Sequence, residues 1–185
     1  MRITGGQARG RALASFKGLN IRPTPDQVRE ALFNILGQNL GGKSVLDLFA
    51  GTGAMGLEAL SRGARRVVFV DSAFKAISII KKNIETCGLR ERTLVLRKDL
   101  RKGLPSLDLM GGIPFDLVFI DPPYRSGILP IVMAKLVEKE ILAPNAIVVA
   151  ETHRKEQFDK TFGNLNLIDV RAYGDTKIHF YCAET

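Results

Sequence analysis

Asp121-Pro122-Pro123-Tyr124 is the stretch whose residue types most narrowly define a chemistry. An exocyclic amine on a nucleobase is a poor nucleophile, because its lone pair is delocalised into the ring. The Asp121 carboxylate and the Pro122 carbonyl can accept its two N–H bonds and turn that lone pair toward an electrophile. Proline has a carbonyl but no N–H, so this edge offers acceptors only. Tyr124 can stack on the base. Two prolines hold the group rigid, and a positioned in-line attack needs little else from a protein.

A second constellation is Gly51-Thr52-Gly53-Ala54-Met55-Gly56, which fits G-x-G-x-x-G, with Asp71 at the spacing of a ribose-binding carboxylate. Taken alone, the pattern suits both a nicotinamide cofactor and S-adenosylmethionine (SAM). Asp47 separates them. It lies inside the preceding apolar run, where a carboxylate is costly to bury without a partner. The α-amino group of SAM is a cation; a nicotinamide cofactor brings only phosphates to that turn. Asp99 can accept from an adenine amino group or remain a solvated charge among basic neighbours. His153 and His179 have no second ligand at metal spacing, Cys87 and Cys182 form no metal-like cluster, and no metal is expected.

These residues need strands that end where they stand. Val45–Leu48 and Phe115–Ile120 read as buried strands, the first leading through the glycines into a helix. Arg66–Asp71, Thr93–Leu96 and Ile147–Ala150 are further strands. Ile77, Ile80 and Ile84 form the stripe of a helix that Ser72 can cap and Gly88 closes. Thr24 and Pro25 open a helix with Val28, Leu32, Ile35 and Leu36 on its apolar face. Ile128–Glu140 is a helix that tolerates Pro130 in its first turn, and Arg154–Phe162 a short one. Leu165–Tyr173 and Lys177–Cys182 pair as a hairpin across Gly174-Asp175-Thr176. Ligands of such a sheet bind at the carboxyl ends of its strands, so both constellations can face one site.

The chain has 185 residues, 45% hydrophobic and 25% charged, enough for one α/β core. It has no apolar run of membrane-spanning length and no signal-like start, so cytoplasmic residence is expected, and a monomer is expected without a sequence feature that fixes it. A net charge of +8 points to a polyanionic partner. Arg2, Arg9, Arg11, Lys17, Arg22 and Arg29 crowd the N-terminal segment against Asp26 and Glu30 only. A second basic run holds Arg90, Arg92, Arg97, Lys98, Arg101 and Lys102 against Glu91 and Asp99. Glycines between Arg2–Thr4 and Arg11–Ala14 suggest a small basic hairpin.

At this point the chain resembles the class I SAM-dependent methyltransferases, and more closely the RsmD-type enzymes of bacteria. The resemblance rests on Arg2–Gly6, Gly10-Arg11, Arg22-Pro23-Thr24 with Arg29-Glu30, Asp47–Gly53, Asp121–Tyr124 and Tyr173–Thr176. Asp71 stands where Glu is as common. The resemblance implies a Rossmann-like α/β fold with a seven-stranded, mostly parallel sheet of order 3-2-1-4-5-7-6. Its last strand would be antiparallel, and a basic extension over residues 1–24 would precede the methyltransferase domain at 25–185. It implies methylation of a guanine N2 amine in small-subunit ribosomal RNA, or in an assembling small subunit. Asp121, Pro122 and Tyr124 would be catalytic. Asp47, Phe49, Ala50, Gly51, Gly53, Asp71, Ser72, Asp99 and Leu100 would hold SAM. Arg2, Arg9, Arg11, Lys17, Arg22, Arg29 and Arg125 would meet RNA. Adenine-N6 methylation shares the tetrad but lacks room here for a DNA-reading domain. A nicotinamide oxidoreductase leaves Asp121 unexplained, and a non-catalytic RNA-binding module makes the carboxylates incidental.

Overall fold

The structure, a computed structural model, describes residues 1–16, 26–124 and 126–184. The expected opening of the first helix at Thr24-Pro25, and Lys17, Arg22 and Arg125, lie outside them. Two compact units divide the chain, Met1–Arg97 and Lys98–Thr185.

The first unit holds the strands β1 (Ser44–Leu48), β2 (Arg66–Asp71) and β3 (Thr93–Arg97), all parallel in the order β3-β2-β1. Every residue of β1 is buried, which is how a parallel strand covered on both faces reads. Helix α1 (Asp26–Leu36) precedes β1; α2 (Ala54–Ser61) and α3 (Phe74–Cys87) supply the crossovers. Ile77, Ile80 and Ile84 of α3 are buried as their spacing predicts, and Gly88 closes the helix. In α1 the buried face differs from the expected stripe. It carries Arg29, Leu32 and Phe33, while Ile35 is exposed. The Arg62 guanidinium stacks over Phe33, 5.0 Å from the ring centre, which draws that face round.

The N-terminal segment folds back on itself. Arg2 and Ala12 form an antiparallel bridge, and Ile3 N donates to the Arg11 carbonyl at 3.0 Å. The loop docks on the helices: Gln7 N donates to the Ser61 carbonyl at 2.8 Å and Ala14 N to Asn83 Oδ1 at 2.7 Å.

The second unit holds β4 (Phe115–Ile120), α4 (Ile128–Glu138), β5 (Leu142–His153), β6 (Thr161–Phe162), β7 (Leu165–Tyr173) and β8 (Thr176–Ala183). Strands β4 and β5 are parallel; β5–β8, β8–β7 and β7–β6 are antiparallel. The fold is thus the α/β class I methyltransferase fold, parallel strands with an antiparallel C-terminal set, and the expected terminal hairpin is β7–β8. The expected helix over Arg154–Phe162 does not form. Its two apolar anchors are claimed elsewhere: Phe158 tilts onto His179, and Phe162 meets Tyr181 edge-on at 5.8 Å. The last two residues become β6, a strand beyond the seven expected. Among the described residues no helix is long and apolar enough to cross a membrane.

Candidate active site

In the first unit the expected cofactor residues gather around the turn after β1. Asp47 is buried, and its Oδ2 accepts from Gly56 N at 2.9 Å. Burial pushes its carboxyl up to about 8; the Gly56 N–H opposes this and the nearby Asp71 charge adds to it. Asp71 stands at the end of β2, where Oδ2 accepts from Gly51 N and Oδ1 from Ala73 N, both at 2.9 Å. Asp71 therefore holds the helix entrance that Ser72 was expected to cap; Ser72 is exposed and caps nothing. A carboxylate has about four lone-pair sites, so Asp71 retains capacity for ribose hydroxyls.

The glycines have different tasks. Gly51 has φ 56°, and beyond its chain neighbours a Cβ there would meet only the Phe49 carbonyl oxygen, 3.9 Å away, so a ligand can come close. A Cβ on Gly56 would stand 2.3 Å from Phe69 Cε1, so Gly56 lets α2 lie against β2. Phe49 adopts φ 57° without being glycine, a conformation costing on the order of 1–3 kcal/mol at sites that hold it for function. Ala50 N donates to the Val70 carbonyl at 3.1 Å and Gly53 N to the Ala50 carbonyl at 2.7 Å, which fixes the turn.

The fit to SAM can be tested on Asp47 itself. A carboxyl that burial pushes up to about 8 is mostly neutral at pH 7, and a cationic α-amino group beside it would draw it back to the charged form. Two outcomes follow. SAM affinity should rise with pH up to about 8, because binding the cation favours the ionised carboxylate and releases a proton; calorimetry in buffers of different ionisation enthalpy checks this. The sign for stability is opposite. A carboxyl raised in the folded state costs stability progressively from about pH 4, and the loss is complete above about 8. Asp47→Asn should therefore melt higher than the parent above pH 5, by a margin that widens with pH, while binding SAM more weakly. Separately, Asp71→Ala should weaken SAM binding by about 1.5–3 kcal/mol, the scale of a charge-assisted hydrogen bond. Unchanged affinity by calorimetry would remove the ribose role.

The second unit carries the other constellation. Asp121 directly follows β4 and is exposed, Pro122 is buried, and Tyr124 is 45% exposed. The Tyr124 hydroxyl donates to Glu151 Oε1 at 2.9 Å and lies 3.1 Å from Thr176 Oγ1. Partial burial pushes this phenol up to about 12, so it remains a donor to Glu151 at neutral pH. The His153 ring meets Tyr124 edge-on at 5.9 Å. Beside the tetrad is a cavity of about 330 Å³, whose walls include Pro122, Tyr124, Leu129, Glu151, Glu156 and Asp159. Glu151 and Thr176 were not among the expected site residues. Glu151 bore the same signal as Asp71, an acid just after a strand's apolar run.

Asp99, also in this unit, accepts from Arg101 through Nε at 3.0 Å and Nη2 at 3.1 Å. The Arg101 guanidinium holds its carboxyl below the usual carboxylate range. An adenine amine would have to share Asp99 with Arg101. Leu100, next to it, is buried.

Of the expected RNA residues, Arg2, Arg9 and Arg11 are exposed on the N-terminal segment. Arg29 is not. It is fully buried, and bonds Glu58 Oε2 at 3.2 Å, Asp26 Oδ1 at 3.1 Å and the Arg2 carbonyl. Its role is corrected from RNA contact to internal tie, because a guanidinium walled in by carboxylates reaches no external phosphate. Among the described residues no group of three or more His, Cys, Asp or Glu is arranged to hold a metal ion.

The chain is similar to several known proteins along its whole length. The solved structure of the Escherichia coli protein yhhF is 34% identical, with a TM-score of 0.86 over 100% of this chain and 98% of that one. YlbH of Bacillus subtilis is 36% identical over 181 residues, 98% of each chain. The ribosomal RNA small subunit methyltransferase D of Escherichia coli K12 is 33% identical over 184 residues, 100% of this chain and 90% of that protein. An RNA methyltransferase from Salinibacter ruber, solved with S-adenosyl-L-homocysteine, is 19% identical at a TM-score of 0.64 over 88% of this chain and 94% of that one, and shares the fold. Residues 1–182 match the family described as conserved hypothetical protein 95, and the chain belongs to it, alongside the ribosomal RNA small subunit methyltransferase D proteins.

Proposed function

We propose that this protein transfers a methyl group from SAM to the exocyclic N2 amine of a guanine in small-subunit ribosomal RNA. Relatives of that name at about a third identity over the full chain support ribosomal RNA methylation. SAM, when bound, supplies an electrophilic methyl on a sulfonium. This chain's residues do the rest. Asp47 takes the cationic amino group, Asp71 the ribose hydroxyls, and Gly51 leaves room for the approach. Asp121 and the Pro122 carbonyl accept the amine's N–H bonds, and Tyr124 stacks on the base.

The observation that carries the choice of guanine is the chemistry of the cavity beside the tetrad. Its walls include the acidic residues Glu151, Glu156 and Asp159 together with a proline edge lacking an N–H. The guanine Watson–Crick edge offers N1–H and an N2 amine, both donors, to such acceptors. Adenine beside its amine offers N1, an acceptor, which carboxylates repel.

Labelled SAM incubated with small-subunit ribosomal RNA, and with small-subunit particles from cells lacking the activity, tests this. Nucleoside digestion should yield N2-methylguanosine. N6-methyladenosine would overturn the guanine reading. No transfer to either substrate, with SAM binding intact, would overturn the enzymatic one.

A further inference from the structure

The opposite pole of the first unit carries a basic rim that methyl transfer does not use. Lys43 stands just before β1, Arg65 and Arg66 at the entry of β2, and Arg90 and Arg92 just before β3. The strands are parallel, so these entries lie side by side. Arg65 N donates to the Lys43 carbonyl at 2.8 Å, Arg66 Nε to Ser44 Oγ at 2.7 Å, and Arg92 Nη1 to the Ala64 carbonyl at 3.1 Å. Ser44 pairs with Arg66, and Val67 with Thr93. Lys43, Arg65 and Arg90 are exposed, and Glu91 is the one acid in these three entrances. None of Lys43, Arg65, Arg90 and Arg92 forms an ion pair with a described residue. Burial and the adjacent Arg65 charge both lower the Arg66 pKa, a sign that the cations crowd one another.

Like charge crowded with a single acid, Glu91, beside it repels itself and attracts a polyanion. Strand β2 rises about 3.3 Å per residue, so Arg66 stands roughly 17 Å from Asp71 at the cofactor end. A group held at Asp71 is out of reach of these side chains. Four of the five cations are arginines, whose planar forks match phosphate oxygens bidentately. Ala64 and Leu89, which flank the cations, are buried, so neither can insert into a lipid surface.

We propose that Lys43, Arg65, Arg66, Arg90 and Arg92 form a second RNA-backbone contact surface, which holds a part of the substrate RNA away from the cofactor end of β2. It rests on the reading that RNA is the substrate. Phosphate contacts of this kind set register and affinity without reading sequence. The surface makes a long, folded RNA a better substrate than a short stem-loop, by adding a second attachment to the one at the N-terminal segment.

The test compares Lys43→Gln/Arg65→Gln/Arg90→Gln with the parent in salt titrations of binding to a transcript of the small-subunit ribosomal RNA. The slope of log affinity against log salt should fall by about 2–3, at 0.7–0.9 per lost phosphate contact. Affinity at low salt should fall tenfold or more. KM for that transcript should rise with kcat unchanged, and transfer to a short target stem-loop should not change. Arg65→Lys/Arg90→Lys should keep the slope. If the triple variant fails to bind SAM, and so to fold, Arg65→Gln/Arg90→Gln gives the same reading with a slope change of about 1.5. An unaltered slope overturns the proposal, as does an unaltered slope together with lost co-sedimentation on phosphatidylserine vesicles, which would assign the rim to a membrane. A fallen slope in a protein that methylates no RNA would keep this surface and discard the proposed reaction.

Discussion

Asp121→Ala is expected to slow methyl transfer at least 100-fold while leaving SAM affinity intact. The target nitrogen gains positive charge as the methyl arrives, and a carboxylate accepting its N–H bond strengthens as that charge develops. Such an interaction acts on the transition state more than on the bound substrate, so its loss enters kcat more than KM. The factor is the one observed on removing a single preorganised polar group, about 100–1,000-fold. Asp121 suits the task because it stands exposed at the point where β4 ends, followed by a buried proline that cannot swing. Asn at this position should retain more activity than Ala, since its carbonyl still accepts from the amine. Tyr124→Ala is the companion measurement. It should weaken RNA docking by about 1–3 kcal/mol, the worth of one stacked base, and Tyr124→Phe by less, since only the hydroxyl contacts to Glu151 and Thr176 go. Single-turnover kinetics separate the two effects. A fully active Asp121→Ala protein would sink the amine mechanism.

Glu58→Ala is expected to destabilise the first unit by about 3–5 kcal/mol, the cost of breaking a buried ion pair from one side. Glu58 is fully buried on α2, and five donors converge on it: Thr4 N and Oγ1, Gly5 N, Arg29 Nε and Arg62 Nε, at 2.8–3.2 Å. Without the carboxylate, Arg29 and Arg62 remain inside as cations with too few acceptors, and the Thr4 and Gly5 amides lose theirs. Urea unfolding should show the loss, and limited proteolysis should cut the N-terminal segment first. A loss under 1 kcal/mol would mean that the segment is held by its apolar contacts, Ile3, Ala8 and Leu13, all buried.

The same network explains what the sequence could and could not disclose. Asp71 and Asp121 stand out because each closes an apolar run, Gly51 because a run breaks there, and Asp47 because it interrupts one, all of them local signals. The order of strands within each unit followed from resemblance and from the short link at Gly174. Arg29 was misread because an arginine in a basic segment looks like surface, and its partner lies 29 residues away in sequence. Only the fold brings Glu58 to it. The helix expected at Arg154–Phe162 fails for a similar reason: aromatic partners on β8 outbid a nine-residue helix that is marginal in isolation. Asn83 stood in plain view as an amide within an isoleucine stripe, an anomaly whose meaning came only with its partners.

Those partners carry a consequence of their own. Asn83 Nδ2 donates both to the Ala14 carbonyl, at 3.0 Å, and to the Thr52 carbonyl inside the glycine turn, at 2.9 Å. Its Oδ1 accepts from Ala14 N, so this one amide is committed on both sides. The arm and the turn therefore share a fastener. In hydrogen-exchange terms Asn83→Ala is expected to loosen both at once, because one side chain supplies the bonds to Ala14 and to Thr52. Faster exchange at Ala14 N and at the glycine-turn amides together in that variant would show the shared fastener; faster exchange at Ala14 alone would show that the turn holds without it.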